Sequence, residues 1–310
     1  MRPCWRPSNL APDGDGPRQD HGPGPGPELP LSVLAAIEGL LAKGPCRRQP
    51  VLALNGPVGA GKSTLARTIA DLAHRRGLRV AVASIDDLYL PLQERRSRLA
   101  GNPFGVSRVP PGSHDVPLLM ERLEAWRSGG KLRLPCFDKG LAAGEGERSG
   151  EREQEADVLV LEGWLMGCRA LGSELAELLA GGVQGWPLSE SELDWIPQWN
   201  RALTDYHPLW QACDGLWLMR PSGWTLPRRW RFQAEARQRR RGAGWLDGAN
   251  LGALVRSSLH SLPPPLYQDP LLVEEPQGLP LLGVSVLDGR RRVVALATHS
   301  SVSSASSAIG

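Results

Sequence analysis

The sequence predicts an α/β fold: an open, mostly parallel sheet flanked by helices on both faces, with a helical lid. Three observations carry that prediction. Short apolar runs alternate with helical patterns along most of the chain, the order from which parallel sheets with crossover helices are built. Residues 157–161 (DVLVL) are a near-continuous apolar run, as a strand covered on both faces requires. The segment Gly56-Pro-Val-Gly-Ala-Gly61-Lys62-Ser63 satisfies Gly-x4-Gly-Lys-Ser between a predicted strand and a predicted helix, which is the setting that makes a phosphate-binding loop credible.

The elements follow in order. Residues 31–43 place apolar side chains at helical spacing and stop at Gly44. A strand over 51–54 leads into the glycine-rich loop, and a helix over 62–76 closes at Gly77. A β-rich segment at 78–85, a helix at 116–126 and the strand at 157–161 come next. A helix is expected over 172–179, a strand over 215–219 and a helix over 226–241. Residues 281–287 and 292–297 flank Asp288-Gly289; this reads equally as a hairpin or as one long strand pairing with the main sheet. The polar stretch 140–155 (GLAAGEGERSGEREQE) reads as an exposed loop. Right-handed crossovers join the parallel strands.

With 310 residues, 41% of them hydrophobic, the chain can bury a sizeable core. The expected organisation is a disordered Pro/Gly-rich tail at 1–29, one domain at 30–298 with lid and substrate elements near 100–150 and 222–245, and a disordered Ser-rich tail at 299–310. A net charge of +3 and a pI near 8.7 fall short of the concentrated basic charge of a nucleic-acid coat or polybasic membrane binder. Eleven of the aromatics are tryptophan, so indole supplies the bulky packing. Only four of the 36 basic residues are lysines, at 43, 62, 131 and 139; in a chain so biased to arginine, a lysine marks a place that needs a compact ammonium. Five scattered cysteines (Cys4, Cys46, Cys136, Cys168 and Cys213) show no Cys-x-x-Cys spacing, which argues against a disulfide framework or zinc site. With no signal core and no apolar run of 18 residues, the expected setting is cytoplasmic and the expected state a monomer.

In the phosphate loop, the Gly56, Gly59 and Gly61 backbone lets the N–H groups of Gly56, Pro57–Thr64 excepting the proline, turn toward phosphate, while Val58 and Ala60 fill the variable positions. Lys62 reaches the β/γ-phosphates, Ser63 ligates Mg²⁺ and Thr64 extends the helix N-terminus. ATP and Mg²⁺ are therefore the expected cofactors. The 78–85 strand runs into Asp86-Asp87, at the edge where open α/β sheets bind ligands. A carboxylate there accepts the proton of an attacking hydroxyl; by position alone, the pair reads equally as a turn cap. DVLVLEGW ends its strand in Glu162, a Walker-B position for Mg²⁺. In Gly112-Ser113-His114-Asp115, taken alone, Ser113 or Asp115 is better read as an N-cap. Asp138-Lys139 reads by default as a solvated pair. The segment from Arg228 through Arg229, Arg231, Arg237, Arg239, Arg240 and Arg241 reads evenly as a phosphate-clamping lid or a solvated face, and less well as a nucleic-acid surface.

These motifs together resemble the P-loop D-glycerate 3-kinases of plants and cyanobacteria, relatives of the uridine kinase, phosphoribulokinase and pantothenate kinase group. The resemblance is carried in order by GPVGAGKST (56–64), SIDDLYL (84–90), GN (101–102), GSHD (112–115), LPCFDKG (134–140), GEGER (144–148), LEGWLMG (161–167) and RWRFQAE (229–235). It implies a P-loop kinase that phosphorylates D-glycerate to 3-phosphoglycerate in photorespiratory salvage. It points to Asp86 as base and to Asp87, Tyr89, His114, Asp115, Lys139 and Arg148 as substrate-site residues, with Lys139 or Arg148 suited to the carboxylate. Arg229 and Arg231 would close over the phosphates. The family pattern Gly-Arg-Gly-Asp-Arg is here Gly144-Glu-Gly-Glu-Arg148. The competing readings are a P-loop kinase of a nucleoside, pantothenate or another small alcohol, and a non-catalytic ATP-binding interaction protein. A GTPase is disfavoured because no Asn-Lys-x-Asp occurs.

Overall fold

The computed structural model describes residues 26, 28–43, 48–183, 185–240, 248–273 and 279–298. Most of the two expected tails, together with Cys4, Cys46, Gly44 and Arg241, lies outside the described residues. The elements are α1 (Glu28–Lys43), β1 (Val51–Asn55), α2 (Lys62–His74), β2 (Val80–Ser84), α3 (Leu92–Arg98), α4 (Val116–Arg127), β3 (Leu132–Asp138), β4 (Glu147–Gln154) and β5 (Val158–Gly163). There follow α5 (Leu175–Ala180), α6 (Glu190–Ala202), α7 (His207–Ala212), β6 (Gly215–Pro221), α8 (Leu226–Arg240), α9 (Gly248–His260), α10 (Pro264–Tyr267), β7 (Leu281–Leu287) and β8 (Val293–Thr298).

The main sheet has the order β2-β5-β1-β6-β7-β8. Its first five strands are parallel and β8 returns antiparallel to β7. The Asp288-Gly289 signal thus resolves as a hairpin whose first strand joins the main sheet.

Alternate residues of the central strands explain why helices cover both faces. Val51, Ala53, Leu159, Leu161, Leu216 and Leu218 pack one way, with Leu119 and Leu123 of α4 and Leu209 and Trp210 of α7. Leu52, Leu54, Val158, Val160, Trp217 and Met219 pack the other way, with Leu34 and Ile37 of α1 and Leu65 and Ile69 of α2. Each face removes a layer of branched aliphatics from water, the main drive for the sheet. Leu29 is fully buried in the second layer, so α1 starts at Glu28 and the folded domain takes in residues expected to belong to the tail. The tryptophans serve this packing: Trp126, Trp199, Trp210, Trp217 and Trp230 are all fully buried. Trp217 on β6 lies over Gly283 on β7, where a Cβ would be 2.6 Å from the indole, and its Nε1 donates to Ser285 Oγ at 3.3 Å.

The stretch 140–155 is not one loop. It contains β4, paired antiparallel with β3 in a separate two-stranded sheet. Its sequence, ERSGEREQ, lacks an apolar face because charges hold the ribbon. Glu151 meets Arg133 at 2.5 Å and Arg122 at 2.8 Å, while Arg152 donates to the Val82 carbonyl at 2.7 Å. Two further helices, α6 and α9, are joined by Glu192, which is buried and meets Arg256 at 2.6 Å and His260 at 3.2 Å. Burial alone would raise the Glu192 pKa, but Arg256, Ser189 and His260 hold it down at about 2. No helix among the described residues is long and apolar enough to cross a membrane.

Candidate active site

The site begins where β1 ends. β1 lies between β5 and β6, so its C-terminal end opens on the sheet edge where α/β proteins hold ligands. The chain turns there with Gly59 at φ 77° and Gly61 at φ 97°, left-handed values that glycine adopts without a Cβ penalty. Gly61 is the N-cap of α2. Backbone N–H groups at a helix start, together with the helix dipole, make an anion site.

Pairing registers Glu162 of β5 with Leu54 of β1 and Ser84 of β2, which carries its carboxylate to the same edge. Ser63 Oγ donates to Glu162 Oε1 at 2.5 Å, and Lys62 Nζ lies 3.8 Å from Glu162 Oε2. Lys62 also donates to the Pro57 carbonyl at 3.2 Å. Burial lowers its pKa, against the opposing pull of Glu162 and Asp86.

Beyond β2 the chain makes a short 3-10 turn, residues Ile85–Leu88, capped by Ser84. That turn separates the two aspartates. Asp87 bends back to the Ser84 N–H at 3.2 Å and faces Arg152 at 3.4 Å; burial raises its pKa against Arg152. Asp86 points into the cavity, where Oδ1 accepts from Tyr89 Oη at 2.9 Å and Oδ2 from Lys139 Nζ at 2.7 Å. Burial pushes the Asp86 pKa up, but Lys139, His114 and the Tyr89 hydroxyl together hold it well below the usual carboxylate range. The carboxylate is therefore ionised at any physiological pH.

One cavity of about 440 Å³ joins these groups. It is lined by the loop from Val58 to Thr64, by Asp86, Asp87, Lys139 and Glu162, and by Arg231, Arg237 and Arg291. Helical periodicity decides which arginines of α8 take part: Arg231 and Arg237 face the cavity, whereas Arg229 lies on another face, beside Arg228 and Phe232. Arg229 is thus not brought over the phosphate loop.

His114, Asp115 and Arg148 line a different cavity, of about 750 Å³, with Arg98, Thr204 and Asp205. Asp115 caps α4 by accepting from Leu118 N at 3.1 Å, and pairs with Arg148 at 2.6 Å. Arg148 also donates to the Tyr89 carbonyl at 2.9 Å. His114 stacks on the Tyr89 ring, 4.7 Å between centroids, and its Nδ1 is 2.6 Å from Tyr206 Oη. Burial lowers the His114 pKa to about 4 against the pull of Asp86, so the ring is neutral near pH 7. These residues converge on Tyr89, which itself touches Asp86.

Sequence reasoning missed Arg95 and Arg291, and placed Arg237 only within a basic segment read evenly as a phosphate-clamping lid or a solvated face. Arg95 is fully buried and donates to the carbonyls of Leu90, Ser107, Glu145 and Gly146, fixing the loop that precedes β4. Only its place in an arginine-rich run was visible. Arg237 is on the predicted basic helix, but the face it presents depends on how α8 docks.

Strand order, phosphate loop and acidic strand ends define the class: a P-loop phosphotransferase. No protein-family model matches the chain. The chain is 31% identical over 196 residues to the uncharacterized kinase mug58 of Schizosaccharomyces pombe, covering 60% of this chain and 69% of that protein. Among solved structures, D-glycerate 3-kinase from Cryptococcus neoformans var. grubii superposes with a TM-score of 0.76 at 25% identity, covering 87% of this chain and 98% of that one. The YGR205w protein superposes with a TM-score of 0.64 at 24% identity, over 84% and 92% of the two chains. The chain belongs to the same family of P-loop kinases as mug58.

Proposed function

We propose that this kinase transfers the γ-phosphoryl group of ATP to the 3-hydroxyl of D-glycerate, giving 3-phosphoglycerate. The observation that carries the reading is the placement of an ionised carboxylate, Asp86, between Tyr89 and Lys139 in the cavity that also holds Lys62, Ser63 and Glu162. The likeness to a D-glycerate 3-kinase over most of both chains supports the choice of acceptor. So does the chemistry of Lys139. Its ammonium is a compact cation for a carboxylate, and in glycerate the carboxylate and the 3-hydroxyl are separated only by the carbon chain between them. An acceptor held at Lys139 therefore brings its hydroxyl beside Asp86. The physiological setting that goes with this acceptor is glycerate salvage.

The residues divide the work. The loop N–H groups and Lys62 hold the triphosphate, and Arg231 lies on the facing wall. Asp86 orients the attacking hydroxyl and accepts its proton, as positioning and electrostatics dominate phosphoryl transfer. Tyr89 holds the Asp86 carboxylate in place. His114 supports the Tyr89 ring, while Arg148, fixed by Asp115, supports the Tyr89 backbone. Asp87 holds the turn that aims Asp86.

The donor set fits Mg²⁺. Ser63 and Glu162 present hard oxygens to each other at 2.5 Å. Among the described residues no group of three His, Cys, Asp or Glu forms a metal cage, and Mg²⁺ in phosphotransferases takes one or two protein oxygens, completing its shell with phosphate and water. Ser63 and Glu162 would hold the ion, which when bound neutralises charge on the phosphates.

The test is ADP release from Mg-ATP with D-glycerate, L-glycerate, uridine or pantothenate as acceptor, with the product identified by mass. D-glycerate-dependent ADP release with 3-phosphoglycerate as product is the expected result. Release dependent on another acceptor, or on none, overturns the assignment of substrate.

A further inference from the structure

The turn between β7 and β8 is far from the phosphate loop in sequence and against it in space. Arg291, in that turn, is 8% exposed. Its backbone sits at φ 63°, a left-handed conformation that a non-glycine side chain keeps only where its surroundings impose it. Every guanidinium nitrogen is engaged. Nε donates to the Gly59 carbonyl at 2.7 Å, Nη2 to the Trp230 carbonyl at 2.7 Å, and Nη1 to Gln233 Oε1 at 3.2 Å. The group also lies over the Trp230 indole, 5.6 Å from its centroid.

The two backbones it bridges are themselves in contact. A Cβ on Gly59 would lie 2.7 Å from the Arg231 nitrogen and 2.8 Å from the Trp230 carbonyl carbon. The apex of the phosphate loop, the first turns of α8 and the hairpin turn therefore meet at one junction, with Arg291 across it. Its three hydrogen-bond partners are uncharged oxygens, so they leave its positive charge unneutralised. The same residue lines the cavity, with Arg231 and Arg237. Arg231 pairs with Glu235 at 3.0 Å; together with Arg237 and Arg291 it lines one cavity with the phosphate loop, a lining that suits a polyanion.

We infer that Arg291 is a positioning residue of the nucleotide site: it fastens the apex of the phosphate loop to α8, so that the loop N–H groups, Arg231 and Arg237 address one polyphosphate. The inference rests on the nucleotide-binding part of the proposed function and not on the identity of the acceptor. A guanidinium is needed because its planar fork reaches separate acceptors at once, which an ammonium does not.

Equilibrium binding of Mg-ADP, measured by calorimetry on the full chain, tests this without any acceptor. Arg291→Gly is the informative variant, because glycine keeps the left-handed turn while the guanidinium is lost. Its Kd for Mg-ADP rises by about 10-fold or more, the scale of one lost charge-assisted contact set. KM for ATP rises in parallel and KM for the acceptor stays within about twofold. Arg291→Lys, which keeps the charge without the fork, stays closer to the glycine variant than to wild type, and it carries the test alone if the glycine variant does not fold. Arg292→Ala, in the same turn but exposed and paired with Asp288, binds Mg-ADP like wild type. Unchanged Mg-ADP affinity in Arg291→Gly overturns the inference, as does an equal rise in both KM values. Wild-type protein that binds Mg-ADP but phosphorylates no acceptor removes the kinase reading and leaves the Arg291 result standing; failure of the wild type to bind Mg-ADP removes both.

Discussion

Asp86 carries two contacts that serve opposite needs. Tyr89 and Lys139 keep it ionised, the form the proposed role as base requires, yet the stronger they hold the carboxylate, the weaker a base it is. Replacing Lys139 separates these effects. Burial is already the largest single influence on Asp86; with the ammonium gone only His114 and the Tyr89 hydroxyl oppose it and the Asp86 pKa rises, so the charged form is lost as pH falls through a higher value than in wild type. The pH profile of kcat/KM for Lys139→Met should fall off on the acid side at higher pH than the wild-type profile, with a raised acceptor KM. Asp86→Asn should lower kcat by about 10²- to 10⁴-fold at every pH while Mg-ATP still binds. Superposable pH profiles for wild type and Lys139→Met would remove Lys139 from the control of Asp86. By position alone the Asp86-Asp87 pair read equally as a turn cap and Lys139 as a solvated residue; only the resemblance pointed to them as base and substrate-site cation, and they lie 2.7 Å apart. Arg291 was not legible, since nothing local marks a contact with a loop 232 positions away.

At the scale of elements, the apex of the phosphate loop is docked against α8. Gly59 and Gly61 both have left-handed backbones, so alanine at either adds a conformational penalty of about 1 kcal/mol. They differ in their surroundings: a Cβ at Gly61 meets nothing within 4 Å, whereas at Gly59 it meets the α8 backbone below 3 Å. Gly59→Ala must therefore move α8 as well. Denaturant unfolding should show Gly59→Ala less stable than Gly61→Ala by about 1–3 kcal/mol, the range for overpacking, with a larger rise in KM for ATP. Equal stability of the two would mean that α8 is not seated on the loop in solution. Elements with an apolar period were readable, and this is why β1, α2, β5, β6 and α8 agree with expectation. β4 was not, because its pairing rests on ion pairs to β3 and α4 and on the Arg152 contact, which leave no hydrophobic signature in ERSGEREQ. α6 carries a local start signal that sequence reasoning passed over, the Ser189–Glu192 capping box, whereas the contact that seats α9 on it, buried Glu192 with Arg256 and His260, is a long-range pairing invisible to local pattern.

For the molecule as a whole, the position of the cavity links nucleotide binding to global stability. Its lining comes from the loop after β1, the strand end of β5, the turn after β2, α8 and the β7–β8 turn, which are distributed from the first strand of the chain to the last hairpin. These elements all belong to or pack on the one six-stranded sheet, so a ligand that bridges them binds the native state and has no comparable site on the unfolded chain. Saturation at about 100 times Kd then stabilises by about 2.7 kcal/mol. For a domain of this size, about 2–4 °C of Tm per kcal/mol translates this into a rise of roughly 5–10 °C with Mg-ATP. Lys62→Ala should lose most of that rise while keeping its ligand-free Tm near wild type, because the Lys62 ammonium is desolvated and its principal partners are the Pro57 carbonyl and Glu162 within the site itself. Differential scanning fluorimetry with Mg-ATP, ATP plus chelator, and D-glycerate alone reads the prediction directly. A rise with Mg-ATP that persists undiminished in Lys62→Ala would place the nucleotide elsewhere on the molecule. A rise that needs Mg²⁺ and Lys62 would locate it at the junction of β1, β5 and α8.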